Sequence, residues 1–161
     1  LAVSDTPGAY QRLQRELAGD KELSEKVGLL RIHMNGCPNS CAQHWIADIG
    51  LRGMRKEMPD GSEEGFTVCV GGSVGGAGHI AQPVCDVSAT EVVPTMRRML
   101  ELYLEHRKSE KELFGEFARR IGPKKYAELL GVPPAPEEAA SARNLRLQPI
   151  YDQVVSESLP W

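Results

Sequence analysis

The stretch Leu29-Leu30-Arg31-Ile32-His33-Met34-Asn35-Gly36-Cys37-Pro38-Asn39-Ser40-Cys41-Ala42-Gln43-His44-Trp45-Ile46 decides how the chain is read. Leu29 to Met34 alternate in the manner of a strand, and Asn35-Gly36 ends it. Pro38 to Ile46 predicts a short helix, with Cys37 at its cap and Pro38 at the first helical position. On that geometry Cys41 falls one turn after Cys37 on the same side. Both sulfurs would lie near helix-start amides, whose unsatisfied N–H groups and dipole favour thiolate, the metal-binding form. Two thiolates so placed can take two corners of an iron–sulfur cluster. Two inert thiols fit the bare spacing equally well.

Zinc is the competing metal, because His33 and His44 flank the pair in His33-x3-Cys37-x3-Cys41-x2-His44. Structural zinc sites usually draw two donors from each of two separate segments. Here all four run along one strand–helix unit, where a tetrahedron is hard to close. His44 therefore reads as a polar helix residue or a neighbour of a cofactor.

Downstream, Ile46-Ala47-Asp48-Ile49-Gly50-Leu51 has strand character, and Met58-Pro59-Asp60-Gly61 signals a turn. A strand at Phe66-Thr67-Val68-Cys69-Val70 follows, and the two strands predict a hairpin with a long loop. Cys69 reads as a buried free thiol in an apolar run. Cys85 reads as part of a loop, without a spacing signal. Gly71-Gly72-Ser73-Val74-Gly75-Gly76-Ala77-Gly78 lacks the Lys-Ser/Thr of a nucleotide loop. It is either a flexible connection or a backbone that approaches a flat ligand closely.

Helical patterns hold the two ends. Asp5-Thr6-Pro7 starts one, with Ala9, Leu13 and Leu17 on one face and Gly19 as its stop. From about Thr90, Val92, Met96, Met99, Leu100 and Tyr103 share a face. Ser109-Glu110-Lys111-Glu112 fits a capping box, ahead of the stripe Leu113, Phe114, Phe117 and Ile121. Gly122-Pro123 separates a third helix carrying Tyr126, Leu129 and Leu130. Residues 132–161 read as a Pro/Ala/Glu-rich linker followed by a tail. Between Arg97 and Glu128 nine of the 19 basic residues face six acids, a local +3 that reads as a solvated face.

The chain has 161 residues and a net charge of −3, which disfavours a nucleic-acid binder. No apolar run approaches the roughly 18 residues of a membrane span. Four cysteines are too few for a disulfide-scaffolded secreted domain, and they predict a cytoplasmic protein with reduced thiols.

The longer string from Arg31 to Gln43, with Ala47-Asp48-Ile49-Gly50, closely resembles the second cysteine motif of ferredoxin-dependent nitrite and sulfite reductases. Val70-Gly71-Gly72 resembles that family's glycine turn, and Phe114-Gly115-Glu116-Phe117-Ala118-Arg119-Arg120-Ile121-Gly122 resembles its C-terminal helices. The resemblance covers residues 1–131, the expected C-terminal part of the sirohaem/4Fe-4S domain. It implies an α+β fold, a small mixed sheet with a C-terminal helical group. It implies a [4Fe–4S] cluster coupled to sirohaem, with Cys37 and Cys41 as the last two cluster ligands. Cys41 would bridge a cluster iron and the sirohaem iron. Asn39 would lie against the cofactor, and Gly71 and Gly72 would let backbone approach it.

The implied reaction is six-electron reduction of nitrite to ammonia or of sulfite to sulfide, with ferredoxin or a similar electron donor. Ile32-His33-Met34 and Ala47-Asp48-Ile49-Gly50 look most like the nitrite enzymes. The family's first two cluster cysteines, spaced C-x5-C, are absent, as are its cationic anion-binding residues. The expected reading is a chain cut just downstream of those ligands, inactive alone, whose partner is the N-terminal remainder of the same polypeptide. The contrasting reading is a non-catalytic domain that binds zinc or no metal through Cys37 and Cys41.

Overall fold

In the computed structural model, residues 2–75 and 78–136 are described. The chain begins with α1 (Thr6–Leu13), where Asp5 accepts the Gly8 amide at 3.0 Å and Pro7 lies in the first turn. A π-turn (Gln14–Ala18) carries it to Gly19. A second helix, α2 (Lys21–Val27), then starts on Asp20, which caps Leu23 at 3.1 Å. The apolar periodicity at the start of the chain does not extend to α2, which buries only Leu23.

Four strands follow: β1 (Ile32–Asn35), β2 (Ile49–Met58), β3 (Gly61–Val70) and β4 (Gln82–Ser88). They form one sheet in the order β1-β2-β3-β4. The β1–β2 pair is parallel and the other two pairs are antiparallel, the mixed sheet expected. The helical group α3 (Val92–His106), α4 (Phe114–Ile121) and α5 (Pro123–Leu130) closes the fold. Ile49, Leu51, Phe66, Val68, Val70 and Val87 belong to one buried cluster with Val92, Met96, Met99 and Tyr103 of α3. Four rings lock the helices together. Tyr103 meets Phe114 and Phe117 edge-on at 5.6 and 5.5 Å, and Phe117 meets Tyr126 at 5.6 Å. Each such pair contributes about 0.5–1.5 kcal/mol beyond its buried area.

Several expectations are corrected. The β2–β3 hairpin has a short loop, because β2 runs to Met58 and β3 begins at Gly61, leaving Pro59-Asp60 as the turn. Cys85 lies in β4, opposite Val68, and is fully buried. Ser109–Glu112 does not open a helix. Glu112 accepts from the Lys108 amide and from Arg120, while Glu116 takes the Leu113 amide at 3.1 Å and opens α4.

The segment from Pro38 to Ile46 is a loop that ends in a single 3-10 turn at His44–Ile46. Ser40 and Gln43 stand at φ +60° and +52°, which a helix cannot hold. The Ala42 amide is drawn to the Asn35 side chain at 2.6 Å instead, a case of side-chain hydrogen bonding outcompeting the helix ladder.

Beyond Gly131 the chain stays packed, as Ala135 donates to the Val84 carbonyl at 2.8 Å. From residue 137 the expected linker and tail lie outside the described residues, as do Gly76 and Ala77 of the glycine run. Among the described residues no helix is long and apolar enough to cross a membrane. Four of the basic residues of the α3–α5 run are ion-paired: Arg97 on Asp20, Arg98 on Glu105, Arg120 on Glu112 and Lys125 on Glu128.

Candidate functional site

Parallel neighbours cannot be joined by a tight turn, so the chain must travel back the length of a strand between β1 and β2. Residues 36–48 make that crossover, and Cys37 and Cys41 lie on it. Both are free thiols. Cys37 is half-buried and Cys41 is exposed, while Asn39 is exposed between them. The other two cysteines are shut away in strands. Burial pushes the Cys69 and Cys85 thiols up to about 12, so both stay protonated. Cys37 and Cys41 are therefore the thiols that a metal can reach.

The crossover is seated by close backbone contact. A Cβ on Gly53 would meet the Gly36 carbonyl carbon at 2.4 Å and the Cys37 nitrogen at 2.8 Å. Only glycine lets the cysteine loop lie against β2 there. Arg31 and Asp48 tie the two ends. Asp48 accepts the Arg31 amide at 2.9 Å and its guanidinium at 3.0 and 3.1 Å. Asp48 also reaches the glycine turn, since its carbonyl accepts the Gly71 amide at 3.0 Å.

Gly71 and Gly72 are both buried behind this loop. Gly71 has φ +85° and its carbonyl accepts from Arg119 at 2.8 Å. A Cβ on Gly72 would stand 2.5 Å from the Ala47 oxygen and 2.6 Å from the Trp45 oxygen. The close approach that Gly72 permits is to the chain's own crossover, whereas a Cβ on Gly71 would stand 3.0 Å from the Arg119 side chain of α4.

His44 opens the single 3-10 turn and is buried rather than on the surface. It is fully enclosed, stacks on Trp45 at 4.1 Å and has Nδ1 2.8 Å from the Asn35 amide nitrogen. Burial, seconded by the nearby Arg52 charge, pulls its pKa down to about 4. Its Nε2 is buried without a partner. His33 donates through Nδ1 to the Gln43 carbonyl at 3.1 Å. The four donors of the zinc alternative are thus not gathered. Among the described residues no group of three or more His, Cys, Asp or Glu side chains is placed to hold a metal ion. By donor chemistry the two reachable thiols could supply two ligands, and no more, of a thiolate-held group.

Sequence reasoning named both thiols. It read His44 as a polar helix residue or a cofactor neighbour and not as a buried partner of Asn35. It gave no site role to Asn35, Trp45 or Gly53, and none to Arg31 and Asp48, although both lie in the strings that carry the resemblance. The Trp45 indole donates to the Ser40 hydroxyl at 3.1 Å, and Arg52 lies 5.8 Å from the Trp45 ring centre.

A mixed sheet whose parallel crossover presents a reachable thiol pair, closed by a helical group, defines an α+β domain. The profile of the nitrite and sulphite reductase 4Fe-4S domain matches residues 2–135. The chain belongs to this family. It is 31% identical over 129 residues to the assimilatory ferredoxin-dependent nitrite reductase of Haloferax mediterranei, covering 80% of this chain and 22% of that protein. It is 37% identical over 112 residues to sulfite reductase [ferredoxin] 1 of Mycolicibacterium paratuberculosis, covering 67% and 20%. The solved structure of the Mycobacterium tuberculosis NirA protein superposes with a TM-score of 0.63 at 29% identity, covering 74% of this chain and 22% of that one. The chain thus spans about a fifth of the length of these relatives.

Proposed function

We propose that this chain supplies Cys37 and Cys41 as two of the four thiolate ligands of a [4Fe–4S] cluster, within a reductase that takes nitrite to ammonia or sulfite to sulfide at a sirohaem. The observation that carries this reading is the pair of reachable thiols on the β1–β2 crossover, with the other two cysteines buried. When bound, the cluster stores electrons for the catalytic iron.

The chain's own residues hold and shape the site. Cys37 and Cys41 would hold the cluster, and Cys41, the more exposed thiol, would be the ligand on the side open to the sirohaem. Asn39, exposed between them, lines the cofactor face. Gly71 and Gly72 act one layer behind: Gly72 lets the glycine turn press on Trp45 and Ala47 and so backs the loop, while Gly71 ties the turn to Asp48 and Arg119. The relatives named above are ferredoxin enzymes acting on nitrite in one case and sulfite in the other. Ferredoxin as donor and either anion as substrate therefore stand together in this reading. So do a cytoplasmic location and a partnership with the N-terminal remainder of the polypeptide.

The test is anaerobic reconstitution with iron, sulfide and sirohaem in the complete reductase, followed by absorption spectra. Cys41→Ser should abolish the coupled cofactor signal, while Cys69→Ser should leave it largely intact. An intact signal in Cys41→Ser would sink the ligand assignment. One zinc per chain without iron would favour the non-catalytic alternative.

A further inference from the structure

The base of the cysteine loop is closed by one side chain. Asn35 is the last residue of β1 and is 5% exposed. Its Oδ1 accepts the Ala42 amide at 2.6 Å, and its Nδ2 faces His44 Nδ1 at 2.8 Å. These contacts bracket Cys37 and Cys41, with Asn35 just before the loop and Ala42 and His44 just after Cys41.

The bracket has a definite polarity. A backbone N–H can only donate, so the group facing Ala42 must be the carboxamide oxygen. The group facing His44 is then the NH2, a donor, and Nδ1 must offer its lone pair. The ring proton belongs on Nε2. His44 is fully enclosed, so it cannot touch a cofactor and acts only through Asn35. Its own position is held by the stack on Trp45. Trp45 in turn grips Ser40 inside the loop. Ser40 and Gln43 hold left-handed backbone angles, which persist only where surroundings over-determine them.

Resting on the ligand reading above, we propose that Asn35, oriented by the Nε2–H tautomer of His44, is the positioning residue that sets the spacing of the Cys37 and Cys41 thiolates. Groups that orient metal ligands in this indirect way typically change metal affinity about 10–100-fold when removed.

Asn35→Asp and Asn35→Ala separate the contributions. Aspartate keeps the size and the acceptor for Ala42 but cannot donate to Nδ1, so His44 must take a proton there. Histidine 15N spectra of the chain should show His44 unprotonated at Nδ1 in the wild type and protonated at Nδ1 in Asn35→Asp. Exchange of the Ala42 amide should rise about tenfold in Asn35→Ala, the equivalent of one lost hydrogen bond, with β2–β3 amides unchanged. Cobalt(II) titration, read by the thiolate charge-transfer band, should show affinity for the Cys37/Cys41 pair weakened about tenfold in Asn35→Ala.

A wild-type His44 protonated at Nδ1, or an Ala42 amide indifferent to Asn35→Ala, would overturn the positioning role. So would a cobalt affinity unchanged in a variant whose Ala42 exchange has risen. A wild type with no thiolate band would instead overturn the ligand reading, leaving the tautomer and exchange results to be judged on their own. If Asn35→Ala does not fold, Asn35→Asp carries the same test through the tautomer and the cobalt band.

Discussion

Replacing Gly53 by alanine tests whether the cysteine loop is seated as described. The new Cβ would stand 2.4 Å from the Gly36 carbonyl carbon, 2.5 Å from its oxygen and 2.8 Å from the Cys37 nitrogen. Ordinary carbon contacts lie at about 3.5–4.0 Å, so the Gly36–Cys37 peptide must retreat by about 1 Å. Backbone cannot swing aside as a side chain would. This peptide is also anchored, because the Gly36 carbonyl accepts the Val3 amide at 2.7 Å and the Ser4 amide at 3.0 Å. Overpacking of this kind costs about 1–3 kcal/mol, and the anchored backbone puts the cost at the upper end, about 3 kcal/mol. The control is Gly131→Ala. That residue has φ +70° and nothing within 4 Å of the added carbon, so its cost is conformational alone, about 1 kcal/mol. Urea unfolding of both variants, at unchanged m, gives the comparison. A Gly53→Ala loss no larger than that of Gly131→Ala would refute the seating of the loop.

Three further outcomes are expected. Buried His44 stays neutral down to about pH 4 because of its burial, whereas an unfolded histidine takes up its proton near 6.5. The stability it contributes is whole above pH 6.5 and is lost as pH falls toward 4, by about 3 kcal/mol. Stability curves should therefore be flatter over that window in His44→Gln, and identical slopes would contradict its enclosure. The Arg120 guanidinium, bonded at 2.6 and 2.8 Å, holds the Glu112 carboxyl down at about 2. Its contribution is full above about pH 4.5 and disappears between there and pH 2. Glu112→Gln should remove that acid dependence at a neutral-pH cost of about 1 kcal/mol, measured by urea unfolding at both pH values. Tyr126→Phe removes a buried hydroxyl that donates to the Met99 carbonyl at 2.7 Å, and should cost about 1 kcal/mol in the same assay. A neutral result would mean that the helix contact is held by the rings alone.

What could be read in the sequence was what short-range pattern controls. A strand near Ile32–Met34, though not its bounds (β1 begins at Ile32 and includes Asn35), the stripe of α3, the Gly122-Pro123 break and the thiol pair follow from the period or identity of adjacent residues. The family resemblance, too, lay in one contiguous string. The tertiary structure decided the rest, for reasons of distance along the chain. Residues 36–48 join two parallel strands and must span a crossover, so a local helix signal at Pro38–Ile46 gave way to a loop. Cys85 became a strand residue because it pairs with Val68 on a neighbouring strand, which no pattern around it announces. Gly53 had to be glycine because Gly36 folds back onto it, and Asn35, which reads as a turn signal, became the clasp of the loop because Ala42 and His44 return to it. Pattern in the chain chose the chemistry available, two thiols near one strand end. Contacts between residues distant in the chain chose which thiols face outward and what holds them there.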